Sequence, residues 1–408
     1  MANRLRRAVG DGSSRASTVH RDELRIVVPR YGPSVVGGAE SAMRGLALAL
    51  AARGWAVQVW TTTAVDEATW SVGFAPGIER DGDIEVRRFP VVSGRRPWLF
   101  RQLSRVVYHL PHPRAAEQLW AVVQGPYAPG LTHALKAARP MPTLFSPYLF
   151  HPTLVGVLAA PHPRILCPAA HDEPAMRLAI VDRAVMAADA LWFYSEEERD
   201  LLLRAHPSAA GTPARCGVVG VDPPANVDPS SFAARRGIRG PYLYYGGRVA
   251  RGKGFEGVLS GAALLHQRRP EVRLVLSGDA SNAPDAPWMY HAGMLNGADR
   301  WAAIAGAAAV VVPGELESLS LLALEAWAVG RPCLLNRRSA VLEGHARRSG
   351  GGLTFSGPDE FAERAAALVD DPAKAAEMGA RGHAYVVHTY RWDLAERRLR
   401  ELLEVAST

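Results

Sequence analysis

Lysine is almost missing from this 408-residue chain. Lys136, Lys253 and Lys374 are the only three, so 44 of the 47 basic residues are arginine. Against 40 acidic residues this leaves a formal net charge of +7. So mild an excess favours phosphorylated ligands or anionic surfaces without selecting among them. No dense basic run interleaved with aromatics of the kind a nucleic-acid groove needs stands out, so no nucleic-acid partner is expected. Cysteine is scarce too. Cys167, Cys216 and Cys333 are far apart, odd in number and without zinc-site spacing. That excludes a disulfide scaffold and fits free thiols in a reducing compartment. Long apolar runs are also lacking. None approaches the ~18–20 residues of a membrane span, and the best candidate, Ala302–Val312, reads as a helix end running into a buried strand. The first 23 residues are rich in arginine and serine and have no apolar core segment. They are expected to be a disordered basic tail rather than a secretory signal. A cytoplasmic location follows as the expectation.

What is present is ordinary for a globular protein: 48% apolar and 21% charged residues, in a length that suggests two or three domains. Leu24–Pro29 is a β-branched run, Tyr31–Gly38 a glycine-bearing loop, Ala39–Arg53 a helical stretch ended by Gly54, and Trp55–Thr61 a second strand. Strand, loop, helix and strand make a βαβ unit with a parallel sheet. Ile84–Phe89, Arg164–Pro168 and Ala190–Tyr194 read as later strands, and Ser195 as the N-cap of a helix with acids in its first turn. After the Pro/Asp-rich stretch Gly220–Ser231, the series starts again: strand Tyr242–Tyr245, loop Gly246–Gly254, helix Phe255–Gln267, strand Val272–Ser277. The fold class is therefore α/β, with two Rossmann-like, doubly wound parallel-sheet domains and a ligand cleft between them, at the carboxyl ends of the strands.

Four constellations carry chemistry. In the loop Gly246-Gly247-Arg248-Val249-Ala250-Arg251-Gly252-Lys253-Gly254 the glycines allow close backbone approach. Arg248 offers a planar fork and Lys253 a point charge, and the two could close on one diphosphate. The plain alternative is a flexible basic turn. In Glu317-Ser318-Leu319-Ser320-Leu321-Leu322-Ala323-Leu324-Glu325, free amides at a helix start suit phosphate or sugar oxygens. Glu325, among leucines, needs a hydrogen-bond donor such as a ribose hydroxyl if it is buried; otherwise it sits on an exposed face. Gly37 and Gly38, before Ala39 and Glu40, open a helix and offer a weaker anion or hydroxyl site. They lack the dinucleotide fingerprint spacing, so no hydride chemistry is implied. His171 and Asp172 lie just past a strand, where His171 could bond a sugar hydroxyl or handle a proton; a capping Asp172 and a structural histidine are the alternative. Two apparent metal motifs are discounted. Asp81-Gly82-Asp83 reads as a turn, and His109 and His112 lie among prolines that argue for an extended loop. No metal and no cofactor are expected.

These residues resemble the retaining glycosyltransferases of the GT-B architecture, family four type, over about residues 24–400. Gly247-Arg248, Lys253-Gly254 and Glu317 to Glu325, a Glu-x7-Glu spacing, carry the resemblance, supported by Val36–Glu40 and Gly220-Val221-Asp222. The resemblance implies a first, acceptor-binding domain over 24–220. It implies a second, nucleotide-sugar-binding domain over 221–385 and a C-terminal helix over 386–408 that crosses back to the first domain. It implies a metal-independent transfer of a hexosyl group from a nucleotide diphosphate sugar to an acceptor hydroxyl, with net retention. Arg248 and Lys253 would hold the diphosphate and Glu325 the ribose. Glu317 and the Ser318, Leu319 and Ser320 amides would face the sugar, and Met294 and Leu295 the base. Gly37, Gly38, His171 and Asp172 would line the other wall. The acceptor would be a carbohydrate, a lipid-linked compound or a small molecule, and a lipid-linked acceptor would bring peripheral contact with the inner face of the membrane. Ser318-Leu319-Ser320 departs from the Gly-Phe-Gly often found there. A nucleotide-sugar epimerase, a sugar phosphorylase and a non-enzymatic polyanion binder are the competing readings. The first would turn over donor without acceptor, the second would need phosphate or a pyridoxal cofactor, and the third would bind DNA with steep salt dependence.

Overall fold

The computed structural model describes residues 22–35, 37–249, 254–295 and 297–406. Lys253 and residues 1–21 of the basic tail lie outside them.

The first domain is one eight-stranded sheet. Its strands are β1 Glu23–Val27, β2 Ala56–Thr62, β3 Gly77–Asp81, β4 Ile84–Phe89, β5 Thr143–Phe145, β6 Arg164–Leu166, β7 Ala190–Phe193 and β8 Ala214–Cys216. They run in the order β3-β4-β2-β1-β5-β6-β7-β8, all parallel except β3, which pairs antiparallel with β4. The second sheet holds β9 Tyr242–Gly246, β10 Arg273–Ser277, β11 Met289–Gly293, β12 Ala309–Val312, β13 Cys333–Asn336 and β14 Gly352–Phe355. Its order is β11-β10-β9-β12-β13-β14. In each sheet the strand order reverses once, between β1 and β5 and between β9 and β12. Those are the switch points where a crevice opens outside the carboxyl ends of the strands.

The buried strands explain why this fold forms. Ala190–Phe193 and Ala309–Val312 are buried at every position, as expected for strands covered by helices on both faces. The Asp81-Gly82-Asp83 turn joins β3 to β4, and Asp81 pairs with Arg44 at 2.8 Å. That arginine holds the Asp81 carboxyl below its usual range, so the apparent metal motif is a structural turn. His109 closes the helix Pro97–His109, against the extended-loop expectation. His112 bonds Glu117 at 3.0 Å, which accounts for it structurally.

The crossing helix begins later than position 386. Helix Pro372–Thr389 runs through that point, and the chain turns at Tyr390 and Arg391 into Trp392–Ala406. This last helix lies on the first domain. Trp55 donates to Glu396 at 3.0 Å and Arg400 pairs with Asp22. The indole of Trp392 lies about 3.0 Å from where a Cβ on Gly45 would be. The Val221 amide donates to the Tyr390 carbonyl at 3.0 Å, so both crossings between domains pass through one point.

Candidate active site

The two motif loops of the second domain meet at its switch point. The first leaves β9 at Gly246 and the second leaves β12 at Pro313, and these strands are neighbours. A side chain on Gly254, which has φ +75°, would collide with the Pro313 carbonyl. That carbonyl also accepts from the Asn336 side chain at 2.8 Å. Gly254 therefore answers two demands, a left-handed backbone and a close loop–loop approach.

The glycine loop is pinned before it reaches Arg248. The Gly247 amide donates to Ser277 O at 2.9 Å and the Val249 amide to Asp279 O at 2.8 Å. The Tyr245 hydroxyl donates to Arg248 O at 3.0 Å. Gly278, at φ +103°, lets its loop lie against Gly247, with the Gly247 carbonyl 2.5 Å from where a Cβ would sit. The Arg248 side chain is exposed and, among the described residues, has no ion-pair partner. Tyr245 senses both motifs. Burial pushes its hydroxyl up to about 12, Glu317 adds to the rise, and Arg248 opposes it. Residues about seventy apart in sequence thus act on one phenol.

Glu317 is half-buried, and Gly314 leaves the room its carboxylate occupies. Ser318 is half-buried, while Leu319 points into the core. Ser320 caps the helix Leu321–Ala328, its hydroxyl accepting from the Ala323 amide at 3.4 Å. It does so at φ +73°, a conformation that strongly favours glycine. The Ser-Leu-Ser departure thus places a strained serine at the start of the helix Leu321–Ala328. Ser320→Gly is expected to stabilise the chain by about 0.5–1 kcal/mol: relief of left-handed strain outweighs a cap loss of a few tenths. The urea midpoint reads it, and a lower midpoint would count against strain at this residue.

Glu325 is 19% exposed and paired with Arg300. The partner that makes its partial burial tolerable is therefore an arginine of the helix Gly297–Gly306, which sequence reasoning missed because the pair spans two helices with no motif linking them. Arg300 also crowds Gly246: a Cβ there would lie 2.8 Å from the Tyr244 hydroxyl and 3.2 Å from the Arg300 guanidinium. This glycine is required by the packing beneath the loop as much as by any ligand. Met294 is 65% exposed at the carboxyl end of β11, and Leu295 is half-buried beside it.

Across from these loops stand those of the first domain. Gly37 precedes the helix Gly38–Ala51. A Cβ on Gly37 would collide with the Glu40 carboxylate, whereas one on Gly38 would meet open space. Glu40 is buried and bonded to Arg30 at 3.0 Å. A carboxylate already stands beside these amides, so sugar hydroxyls suit them better than a second anion.

His171 is half-buried, with Nδ1 3.8 Å from Glu173; Glu173 accepts from the Tyr148 hydroxyl at 2.8 Å. Asp172 is exposed and pairs with Arg177 rather than capping a helix. The loop that carries His171 is held from below by Glu198, which sequence reasoning did not single out. Glu198 is 1% exposed, accepts from the Ala170 amide at 2.8 Å and from the Tyr194 amide at 2.6 Å. Burial pushes its carboxyl up to about 7, the backbone donors and His171 pulling the other way. Ser195, the N-cap of the same helix, donates its hydroxyl to Ser318 O at 2.8 Å. Glu197 pairs with Arg348 of the second domain, Nη2 to Oε2 being 2.9 Å. One helix start thus ties the His171 loop to the Glu317–Ser320 loop.

Comparison with known proteins agrees with this architecture. Residues 240–371 match the family described as Glycosyl transferases group 1. A D-inositol 3-phosphate glycosyltransferase of Pseudarthrobacter chlorophenolicus is 32% identical over 171 residues, 38% of each chain. Its namesake in Kribbella flavida is 30% identical over 257 residues, 54% of this chain and 58% of that relative. The chain thus matches less than two thirds of the length of these curated relatives. Among solved structures, Anabaena HepE in complex with UDP and glucose superposes with a TM-score of 0.68 at 15% identity, covering 94% of this chain and 100% of that one. With the motif loops lying at the switch point of the matched domain, residues 240–371 belong to the group 1 glycosyltransferases, and the chain that carries them has the two-domain GT-B fold.

Proposed function

We propose that the protein transfers a hexosyl group from a nucleotide diphosphate sugar to an acceptor hydroxyl, with net retention and without a metal. One observation carries this reading: the loop of Arg248 and the loop of Glu317, separate motifs, leave the neighbouring strands β9 and β12 and meet where Gly254 lies against the Pro313 carbonyl. A cation for a diphosphate and a carboxylate for a sugar therefore stand at one crevice. In this reading Arg248, together with Lys253, takes up the negative charge that develops as the nucleoside diphosphate departs. The amides of Ser318, Leu319 and Ser320 at a helix start add to that field. Glu325 accepts from the ribose hydroxyls while Arg300 holds it in place. Met294 and Leu295 flank the base. Gly37, Gly38 and His171 form the acceptor wall, and same-face attack gives retention.

The UDP and glucose bound to HepE support a nucleotide-sugar donor. The name of the relatives, D-inositol 3-phosphate glycosyltransferase, supports a polyol or polyol phosphate acceptor. The arginine and the helix start supply electrostatic stabilisation without a metal ion, which supports the metal-free reading.

A panel of nucleotides and nucleotide sugars in a thermal melt tests it. A ligand at a hundred times its Kd adds ~2.7 kcal/mol to the folded state, so the matching donor is expected to raise the melting temperature by several degrees, with or without EDTA. If no nucleotide shifted the melt, or if the shift vanished with EDTA, the reading would fail. Turnover of donor with no acceptor present would favour an epimerase.

A further inference from the structure

The helix Pro97–His109 is poorly explained by the fold. Of its thirteen residues only Ser104 and Val107 are buried. Trp98, Arg101, Gln102, Arg105 and His109 are exposed, and their spacing puts them on one helical face. Trp98 is 64% exposed at its start and Leu110 57% just beyond its end. No acidic residue occurs between Glu85 and Glu117, while Arg95, Arg96, Arg101, Arg105 and Arg114 do. This is a denser basic run than the composition led us to expect. Arg96, Arg101, Arg105 and Arg114 are all exposed, and none has an ion-pair partner among the described residues. Elsewhere many exposed arginines are matched to acids, as Arg215 is to Glu401 and Arg269 to Asp370.

We infer that this helix is a docking face for an anionic lipid surface. A one-sided helix with arginines along it and a tryptophan at one end suits the headgroup region: the indole sits at the apolar boundary and the guanidinium groups meet phosphate. A second copy of the chain fits poorly, because an acid-free basic face repels itself. A single-stranded nucleic acid fits poorly as well, because it needs successive exposed rings on which to stack. Phe100 and Tyr108 instead pack against Trp120, with centroids 6.3 and 5.9 Å away. Only Trp98 is free. No helix among the described residues is long and apolar enough to cross a membrane, so the contact is peripheral and salt-sensitive. It does not depend on which sugar is transferred.

Vesicle flotation of the full chain tests the inference. Binding is expected to vesicles of equal parts phosphatidylglycerol and phosphatidylcholine, and to be lost with phosphatidylcholine alone or in high salt. Arg101→Glu with Arg105→Glu is expected to weaken anionic-vesicle binding by at least about tenfold. A charge-matched control, Arg239→Glu with Arg268→Glu in the second domain, should bind like the parent. Both variants alter exposed side chains, so unchanged melting curves establish that they fold. Trp98→Ala is expected to weaken anionic-vesicle binding by a similar factor at low and at intermediate salt, as loss of an apolar contact does. Equal binding to neutral vesicles, equal losses in the two double variants, or tighter retention on a single-stranded oligonucleotide than on anionic vesicles would each overturn it.

Discussion

Arg248→Ala is expected to lower the transfer rate by about two to three powers of ten, a typical loss when one preorganised charge-stabilising donor is removed. Little change in melting temperature should accompany it. The loop backbone around Arg248 is fixed by groups the substitution leaves alone: the Gly247 and Val249 amides and the Tyr245 hydroxyl. The guanidinium itself is exposed, and surface changes of that kind usually stay within ±0.5 kcal/mol. Stability and catalysis should therefore separate cleanly at this residue. If Arg248 acts on the departing diphosphate, kcat and kcat/KM fall together; if it only binds ground-state phosphate, KM rises with kcat preserved. Arg248→Lys should recover part of the loss, since the charge remains and the bidentate fork does not. An alanine variant within threefold of the parent in kcat would remove Arg248 from the proposed site.

Much of this was legible in the sequence, for physical reasons. Ala309–Val312 is fully buried and reads as a short apolar run, while Ile84–Phe89 reads as a strand by its alternation, and both agree with the structure to the residue. Glycine loops mark the strand-to-helix turns on which the second domain's crevice is built. The single Pro/Asp-rich break falls between the two sheets. Other features left no local mark. β3 is an exposed edge strand whose side chains pack on little, so no alternation betrays it. The helix Pro97–His109 opens on a proline without a side-chain cap, and its burial pattern is too sparse to show a core-facing stripe. The Arg300–Glu325 pair and the Glu198 cradle are tertiary: a carboxylate that bonds an amide 28 residues upstream has no sequence signature. The scarcity of lysine remains suggestive, since Lys136 and Lys374 are exposed helix residues and the third belongs to the glycine loop.

Glu198→Ala is expected to cost about 4 kcal/mol and to lower the melting temperature of the first domain by roughly 10 °C. Both carboxylate oxygens accept from backbone amides that have no water to turn to. Removing them orphans two buried donors at ~1–3 kcal/mol each and leaves a cavity. The pH dependence separates this role from simple packing. Burial raises the Glu198 carboxyl from 4.5 to about 7, so the folded chain holds a proton there that the unfolded chain has already released. A raised carboxyl contributes its full stability below the unfolded value. That contribution is lost as pH climbs to the folded value, here across about pH 4.5 to 7 and amounting to about 3 kcal/mol. Glu198→Gln removes this slope. It cannot ionise, and its amide nitrogen cannot accept from one of the two backbone donors. Near pH 5 it should therefore be less stable than the parent by about 1–3 kcal/mol. By pH 8, where the parent must bury a charge and the glutamine need not, the difference should close. Because Glu198 holds the Ala170 amide next to His171, the same variant is expected to loosen the His171 loop and, if that loop faces the acceptor as proposed, to raise KM for the acceptor more than for the donor. Parallel stability curves for the two proteins from pH 5 to 8 would show that Glu198 does not titrate in this range, and an unchanged acceptor KM would sever it from the His171 loop.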